Sequence, residues 1–355
     1  MSSQTNAPCR RRRRRPGLFV LASLFALTLL GSAGAGVSAA ASPWWHVTSR
    51  LVPSHVQPEG EGTIVVQAIN LGNAPTSGNY AFSDTLPPGF KLEEAHFFAR
   101  PSSSLEEGLP PNSRPDFGPA SEFAVFEYCK ETASSISCSS ESALFGAEPE
   151  FLLGAVIPYD FLEMTLTVKA EPGAASGAVN EAQISGGGAS TVKGRRAIPV
   201  DSEAVPFGVE DFSLAPEEEG GTPDTHAGSH PYQLTNTLTF NRANDETLNP
   251  PAMPRTLNFK LPPGQVGNAT ALPQCSDQDF AHVVQGGETN LCPSNTAIGA
   301  AVVTASTFPR RAGEEEHFTV PVFNLTPATG EPARFGFEVL RNPVILDTAV
   351  RSGPG

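Results

Sequence analysis

The sequence lacks the short motifs that mark common enzyme classes. It contains no G-x-S-x-G, H-E-x-x-H, phosphate-loop or G-x-G-x-x-G pattern. These absences exclude the usual serine-hydrolase, zinc-protease and nucleotide-binding sites, although a triad assembled across the fold stays open. We therefore expect no catalytic residue, no cofactor and no enzymatic activity.

Positive charge is scarce outside the N-terminal segment. The chain has 23 lysines and arginines against 37 acidic residues, which gives a formal net charge of −14. Six of the arginines are Arg10 to Arg15, so the chain without residues 1–41 stands at −20. Such a charge disfavours nucleic acid and anionic membrane surfaces as partners. The partner itself is not predicted, and a cell-wall or surface protein or glycan is the candidate class.

The chain also lacks a long charge-free run of strongly apolar residues. The most apolar stretch, Leu18 to Leu30, has 13 residues, whereas a membrane-spanning helix needs about 20. Six arginines precede it and the small residues GSAGAGVSAAAS follow it. This order predicts a secretory signal peptide over residues 1–41 and a secreted or cell-envelope location. An uncleaved membrane anchor is the alternative, because small apolar residues continue to Ala41.

Long helices are disfavoured by the 33 glycines and 34 prolines of the chain, because both residues interrupt helices. Alternating apolar and polar residues instead predict strands. Ile64, Val66 and Ala68 share one face of such a segment, and Val65 and Ile69 share the other, as in a strand inside a sandwich. In the first half, strands are expected at 62–72, 79–86, from Phe90 onward, 121–129, 151–157, 161–169 and, as a closing strand, within 172–200. In the second half, they are expected at 234–240, 254–260, 296–307, 317–327, 333–340 and 343–353.

The length of 355 residues and the spacing of these strands favour two all-β domains after the leader. The first is expected over 43–200, with a proline-rich loop at 101–120. The second is expected over 201–355. Both are predicted to be antiparallel β-sandwiches.

The tetrapeptide Leu-Pro-Pro-Gly occurs twice, as Leu86, Pro87, Pro88 and Gly89 and again as Leu261, Pro262, Pro263 and Gly264. Two prolines cannot donate to a β ladder, and glycine accepts positive φ. Each copy is therefore predicted to end a strand and reverse the chain. We interpret the two copies as equivalent corners of the two domains.

Four cysteines follow the leader: Cys129, Cys138, Cys275 and Cys292. An even set in an exported chain predicts disulfides, and four cysteines allow three connectivities. We favour pairing each cysteine with its sequence neighbour, because each bridge then closes a short loop inside one domain. Zinc binding is disfavoured, because neither pair has C-x-x-C spacing.

Asp224, His226 and His230 are the most suggestive candidates for metal ligands. In a strand, residues four apart lie about 13 Å apart, too far to share one metal. Gly228 and Pro231 oppose a helix there, so a structured loop is the favoured interpretation. The acidic triplets 217–219 and 314–316 lack the spaced pattern of a calcium loop and are expected to be solvated.

Two stretches resemble known families. Asn70-Leu71-Gly72, followed by Asp84-Thr85-Leu86-Pro87-Pro88-Gly89 and Phe90, resembles the Asn-x-Gly…Asp-x-Leu-Pro-x-Gly repeat domain of bacterial cell-surface proteins. This resemblance implies an immunoglobulin-like β-sandwich of unknown molecular function. Residues 222–353, with AGSHPYQLTNTLTFN and CPSNTAIGAAVV, resemble uncharacterised large secreted actinobacterial proteins. That resemblance implies that the chain continues beyond residue 355 and that the second domain is truncated.

Two functions follow as hypotheses. The first is a structural spacer of β-sandwich modules in the cell envelope. The alternative is an adhesion or ligand-binding module that acts through the loops 101–120 and 276–291, since sandwiches of this type commonly bind through end loops.

Overall fold

The computed structural model describes residues 41–100, 123–124, 129–140, 155–243, 249–262, 264–265, 267–282, 290–305, 315–339 and 342–350. The predicted signal peptide up to residue 40, the proline-rich loop 101–120 and Pro263 lie outside these residues. So does most of the predicted strand 151–157.

In the first half, the residues that the structure describes form ten antiparallel strands in two sheets. Sheet 1 has the order β1-β2-β8-β4-β5, and sheet 2 has the order β10-β9-β3-β7-β6. The strands are β1 (Trp45–Val52), β2 (Glu61–Asn70), β3 (Tyr80–Thr85), β4 (Phe90–Arg100), β5 (Phe123–Ala124), β6 (Cys129–Thr132), β7 (Ser135–Ser139), β8 (Phe161–Ala170), β9 (Ala178–Gly186) and β10 (Ala189–Ile198).

The core of this sandwich comes from the inward-facing residues of both sheets. Ile64 and Val66 of β2 and Met164 of β8 face Phe82 of β3 and Ile184 of β9, and all five are fully buried. Successive side chains of a strand point to opposite faces, so the period-2 pattern of the sequence places these residues together. The fold class predicted for the chain, all-β with antiparallel sheets, is confirmed.

The second half has two smaller sheets. A two-stranded ribbon consists of β11 (Val209–Glu217) and β12 (Gln233–Phe240). Sheet 3 contains β13 (Ala297–Ala305), β14 (Glu316–Leu325), β15 (Arg334–Val339) and β16 (Asn342–Asp347) in that order. A one-turn helix, α1 (Asp277–Phe280), and the 3-10 turn Ser294–Thr296 lie between them in sequence. The domain division near residue 200 stays a prediction.

Some predicted strands differ from the observed ones. Residues 254–262 alternate as a strand would, but they lie outside every sheet and Leu257 and Phe259 are exposed. Residues 155–157 also lie outside the strands, and Cys129 begins β6 rather than ending a strand. Alternation records which face can be buried, whereas a strand also needs a neighbour to pair with. A local sequence pattern does not predict which strand will pair with it.

Both Leu-Pro-Pro-Gly copies adopt the same local turn. Phe90 N–H donates to Pro87 O over 3.3 Å, and Gln265 N–H donates to Pro262 O over 3.2 Å. Gly89 and Gly264 have φ of 89° and 88°, a region that favours glycine. The first copy connects β3 to β4, and Leu86 is buried there. The second copy follows irregular chain, so the interpretation as equivalent strand corners is wrong for residues 261–264.

Candidate functional site at a buried charged junction

Sheet 1 is buried on both of its faces over much of β2 and β8. Val65, Gln67 and Ile69 of β2 point away from the sandwich core, as do Phe161 and Glu163 of β8, yet all five are buried. Polar as well as apolar side chains are therefore covered on this outer face. The second half supplies the cover, and a charged junction lies where the two halves meet.

Glu315 is the centre of this junction. Its side chain is 3% exposed and accepts from Arg50 Nη2 at Oε2 over 2.9 Å and from Arg242 Nη1 at Oε1 over 3.1 Å. Burial alone would raise the pKa of Glu315, but the two guanidinium groups outweigh it and hold the pKa below its ordinary value. Each carboxylate oxygen thus has its own charged donor. Glu315, which lies just before β14, therefore forms ion pairs with β1 and with the chain after β12.

Glu210 of β11 makes a second contact between the halves. Ser54 Oγ donates to Glu210 Oε2 over 2.7 Å, and Leu51 N–H donates to Oε1 over 3.1 Å. Arg196 of β10 also forms an ion pair with Glu210. Arg242 N–H donates to Ser54 Oγ over 2.9 Å, and Ser54 N–H donates to Arg242 O over 3.1 Å. These bonds connect the Glu210 and Glu315 groups.

A third group surrounds Glu163, which is 0% exposed. Gln67 Nε2 donates to Glu163 Oε2 over 2.6 Å, and His317 Nε2 of β14 lies 3.4 Å from the same oxygen. Thr304 Oγ1 lies 2.9 Å from His317 Nδ1. The imidazole also packs edge-on against Phe161 with 4.8 Å between ring centroids. His317 therefore joins sheet 3 to the outer face of sheet 1.

The ribbon adds polar contacts from its inner face. Glu217 is buried and accepts from Gln233 Nε2 over 2.7 Å and from Thr235 Oγ1 over 2.5 Å. Thr237 Oγ1 lies 3.4 Å from His46 Nε2 of β1. Burial lowers the pKa of His46, while the Glu217 carboxylate opposes that shift. Thr237 of β12 thus lies against β1 of the first sandwich.

The expectation that both acidic triplets are solvated is wrong for Glu217 and Glu315. Glu218 is exposed as expected, and Glu314 lies outside the described residues. Burial of Glu315 is possible because Arg50, 265 positions away in the sequence, supplies an opposite charge. A triplet motif carries no information about such a distant partner.

The disulfide predictions are confirmed by the structure. Cys129 pairs with Cys138 directly across the β6–β7 hairpin, and Cys275 pairs with Cys292 around α1. Cys275 packs with Phe280, Phe323 and Leu325 in the small core of the second half. Disulfides of this kind are typical of chains that reach an oxidising compartment.

Asn324 holds the loop that leads to the second disulfide. Its buried Nδ2 group donates to the carbonyls of Ala269, Leu272 and Pro273 over 2.9, 3.2 and 3.1 Å. We expect Asn324→Ala to lower the free energy of unfolding by about 2 kcal/mol, because the buried amide and its three hydrogen bonds to the loop are lost. Urea denaturation tests this, with the exposed Asn268→Ala as the matched control. A loss no larger than that of the control would contradict the role of Asn324.

Asp224, His226 and His230 form a turn rather than a convergent set of ligands. Asp224 Oδ1 accepts from His226 N–H over 3.0 Å, and Oδ2 accepts from Ser229 Oγ. The His226 side chain is 88% exposed, with Nδ1 at 3.9 Å from Asp224 Oδ1. Within the described ranges, no group of three histidine, cysteine or acidic side chains could hold a metal ion. The expectation that the chain needs no cofactor stays a prediction.

No helix in the part of the chain that the structure describes is long and apolar enough to cross a membrane.

No protein-family model matches the chain, and no curated protein matches it either. Among solved structures, a variant of the major pilin subunit BcpA of Bacillus cereus matches 55% of this chain and 52% of its own, with 8% identity and a TM-score of 0.28. The C-terminal domain of the AgI/II polypeptide BspA of Streptococcus agalactiae matches 44% of this chain and 50% of its own, with 16% identity and a TM-score of 0.29. The chain therefore spans about half the length of these two structures.

A collagen-binding domain from a Staphylococcus aureus adhesin matches 45% of this chain and 99% of its own, with 15% identity and a TM-score of 0.26. At such low TM-scores these similarities carry no argument about function. The expectation that the chain is not an enzyme stays a prediction.

Proposed function

We propose that this chain is a structural spacer of the cell surface or cell envelope, in which the second half is held in a fixed orientation on the first sandwich. The observation that carries the proposal is Glu315, buried between Arg50 and Arg242 at the junction. Two disulfides and an acidic surface suit an extracellular setting.

The chemistry of the junction suits a role in orientation. Two apolar surfaces tolerate sliding against each other, whereas buried charges lose several kcal/mol each when they are separated from their partners in a dry site. Glu315 accepts from Arg50 and Glu210 accepts from Ser54, both across the junction, and His317 Nε2 lies 3.4 Å from Glu163 Oε2, so sliding would disrupt all three contacts at once. A spacer needs such a fixed geometry, because a flexible connection between the two halves would leave their separation and relative orientation undefined.

Distances between spin labels test this proposal directly. One label replaces Lys193 on the exposed side of β10, and a second replaces Ile345 on β16. We expect the distance distribution across the junction to be as narrow as that of a control pair at Lys91 and Lys193, which lie on the two sheets of the first sandwich. A broad or multi-peaked distribution across the junction alone would overturn the spacer proposal.

The alternative hypothesis, adhesion through the end loops, concerns regions that are largely undescribed. Loop 101–120 lies outside the described residues, and so do residues 283–289 of the loop 276–291. These loops therefore carry no argument for binding.

A further inference from the structure

Aromatic residues concentrate at one end of the first sandwich. The chain has two tryptophans and four tyrosines, and five of these six lie together where β1 begins and β2 ends: Trp44, Trp45, Tyr80, Tyr159 and Tyr232. We call this region the aromatic end; it comprises residues 42–45, 70–80, 156–160, 186–188 and 217–232. Its segments are distant in sequence, so only the fold brings them together.

Tyr232 is the exposed member of this group. Its ring packs edge-on against Trp44, with 5.9 Å between centroids, and yet Tyr232 is 51% exposed. Trp44 is buried beneath it, and a Cβ on Gly221 would lie 2.6 Å from the Trp44 ring. Burial and the nearby Tyr232 raise the pKa of Tyr159. The ring of Tyr232 is thus exposed to solvent on one side and packed against buried Trp44 on the other.

The backbone of the aromatic end is fixed before any ligand arrives. Buried Asn70 donates through Nδ2 to Ala74 O over 2.9 Å and to Val156 O over 2.8 Å, while its Oδ1 accepts from Gly72 N–H. Tyr159 has a φ of 69° and donates its N–H to Asn70 O over 2.7 Å. Positive φ is costly for tyrosine and persists only where the surroundings impose it. Rigid presentation of this kind lowers the entropy cost of binding.

The charge of the aromatic end is entirely negative apart from two histidines. Its segments contain Asp160, Glu217, Glu218, Glu219 and Asp224 but no lysine or arginine. Glu218 is exposed and Glu219 is partly exposed. Clustered carboxylates of one sign attract cationic partners and repel nucleic acid.

Two buried hydrogen-bond donors among the described residues of this end are also unused, Trp44 Nε1–H and Tyr80 Oη–H. The buried Nε1–H of Trp44 has no acceptor among the described residues. Buried donors are almost always paired, so this indole N–H favours a ligand that carries an acceptor. A peptide carbonyl provides an acceptor that a simple cation does not.

We propose that the aromatic end binds a positively charged, extended protein segment, with a lysine or arginine side chain over the Tyr232 ring and beside Glu218 and Glu219. A cation over an aromatic face is attracted by the negative potential of the ring, and the carboxylates add to that attraction. A neutral glycan also stacks on tyrosine and donates hydroxyl groups to carboxylates, but it lacks the charge attraction that Glu218 and Glu219 offer to a cation. This inference goes beyond the spacer role and is independent of it.

Titration calorimetry of the purified full chain with a lysine–glycine repeat peptide tests the proposal. We expect saturable binding at low salt that weakens about three- to five-fold in Tyr232→Leu, the range of an exposed cation–π contact. Tyr232→Phe keeps the ring and is expected to retain binding. The double variant Glu218→Gln/Glu219→Gln is expected to bind more weakly and with less dependence on salt.

Phe212→Leu is the matched control, because Phe212 is an equally exposed aromatic residue of the ribbon outside the aromatic end. Circular dichroism checks that each variant is folded. The proposal is overturned if the wild-type chain shows no saturable binding, or if Tyr232→Leu and Phe212→Leu have equal effects. Binding of a neutral chitin or cellulose oligosaccharide at Tyr232 without binding of the peptide would also overturn it and would favour a glycan.

Discussion

Replacement of Glu315 by glutamine is expected to lower the free energy of unfolding by about 3–5 kcal/mol, the usual loss when one partner of a buried ion pair is removed. Glutamine keeps the size of the side chain but leaves the buried guanidinium groups of Arg50 and Arg242 without the carboxylate between them. Burial and the neighbouring Arg50 already lower the pKa of Arg242, so its charged form depends on nearby carboxylates such as Glu315. Urea denaturation followed by tryptophan fluorescence measures the loss.

Glu93→Gln is the control for this prediction. Glu93 Oε1 lies 3.0 Å from Lys91 Nζ, but both side chains are largely exposed, and such pairs contribute about 0–1 kcal/mol. If Glu315→Gln lowers the free energy of unfolding no more than Glu93→Gln does, the ion pairs of Glu315 do not stabilise the fold. A double-mutant cycle compares Arg50→Gln, Glu315→Gln and the variant with both changes. A coupling free energy of more than about 1 kcal/mol between the two sites reports a direct interaction.

The junction also explains which parts of the fold the sequence predicts and which it does not. β8 alternates apolar and polar residues from Leu162 to Lys169, and its hydrophobic period alone places Met164 in the core. The cysteine pairs lie 9 and 17 positions apart, so a preference for short closed loops selects the observed pairing. In each case the deciding information is local.

The residues of the candidate site are distant in sequence, so no local pattern predicts the site. Arg50 and Glu315 carry ordinary surface-type side chains in strands or loops that read as solvent-exposed. One signal was present: Val65 and Ile69 make the second face of β2 apolar, which indicates that something covers it. The alternation does not say what provides the cover. For the same reason the sequence predicts a strand over 254–260, since the alternation is present there and only the pairing partner is missing.

Asp84, the first residue of the Asp-x-Leu-Pro-x-Gly stretch, gives the second large prediction. It is 1% exposed, and its Oδ2 accepts from Asn180 Nδ2 over 2.7 Å. Its Oδ1 has no partner among the described residues, and neither has Asn180 Oδ1. Burial raises the pKa of Asp84 to about 7, and the hydrogen bond from Asn180 offsets only part of that rise. An acid of this kind is neutral in the folded chain at mildly acidic pH.

The direction of the pH dependence follows from this pKa. The folded value of about 7 lies above the unfolded value of 3.8, so between these values the folded state holds a proton that the unfolded state has released. The contribution of Asp84 to stability is therefore complete below pH 3.8 and is lost as the pH rises through 7. The full loss is about 4 kcal/mol, at roughly 1.4 kcal/mol for each pH unit of the interval.

Asp84→Asn removes this dependence, because the amide cannot ionise and its oxygen still accepts from Asn180. We expect the variant to match the wild-type chain near pH 4 and to exceed its free energy of unfolding by several kcal/mol at pH 8. Denaturation curves across this range measure the difference, with the exposed Asp211→Asn as the control that keeps the wild-type profile. Glu315 responds oppositely, since its lowered pKa makes its contribution fade as the pH falls. A variant profile parallel to the wild-type profile would mean that Asp84 is charged in the fold, and a cationic partner for it would then have to be found.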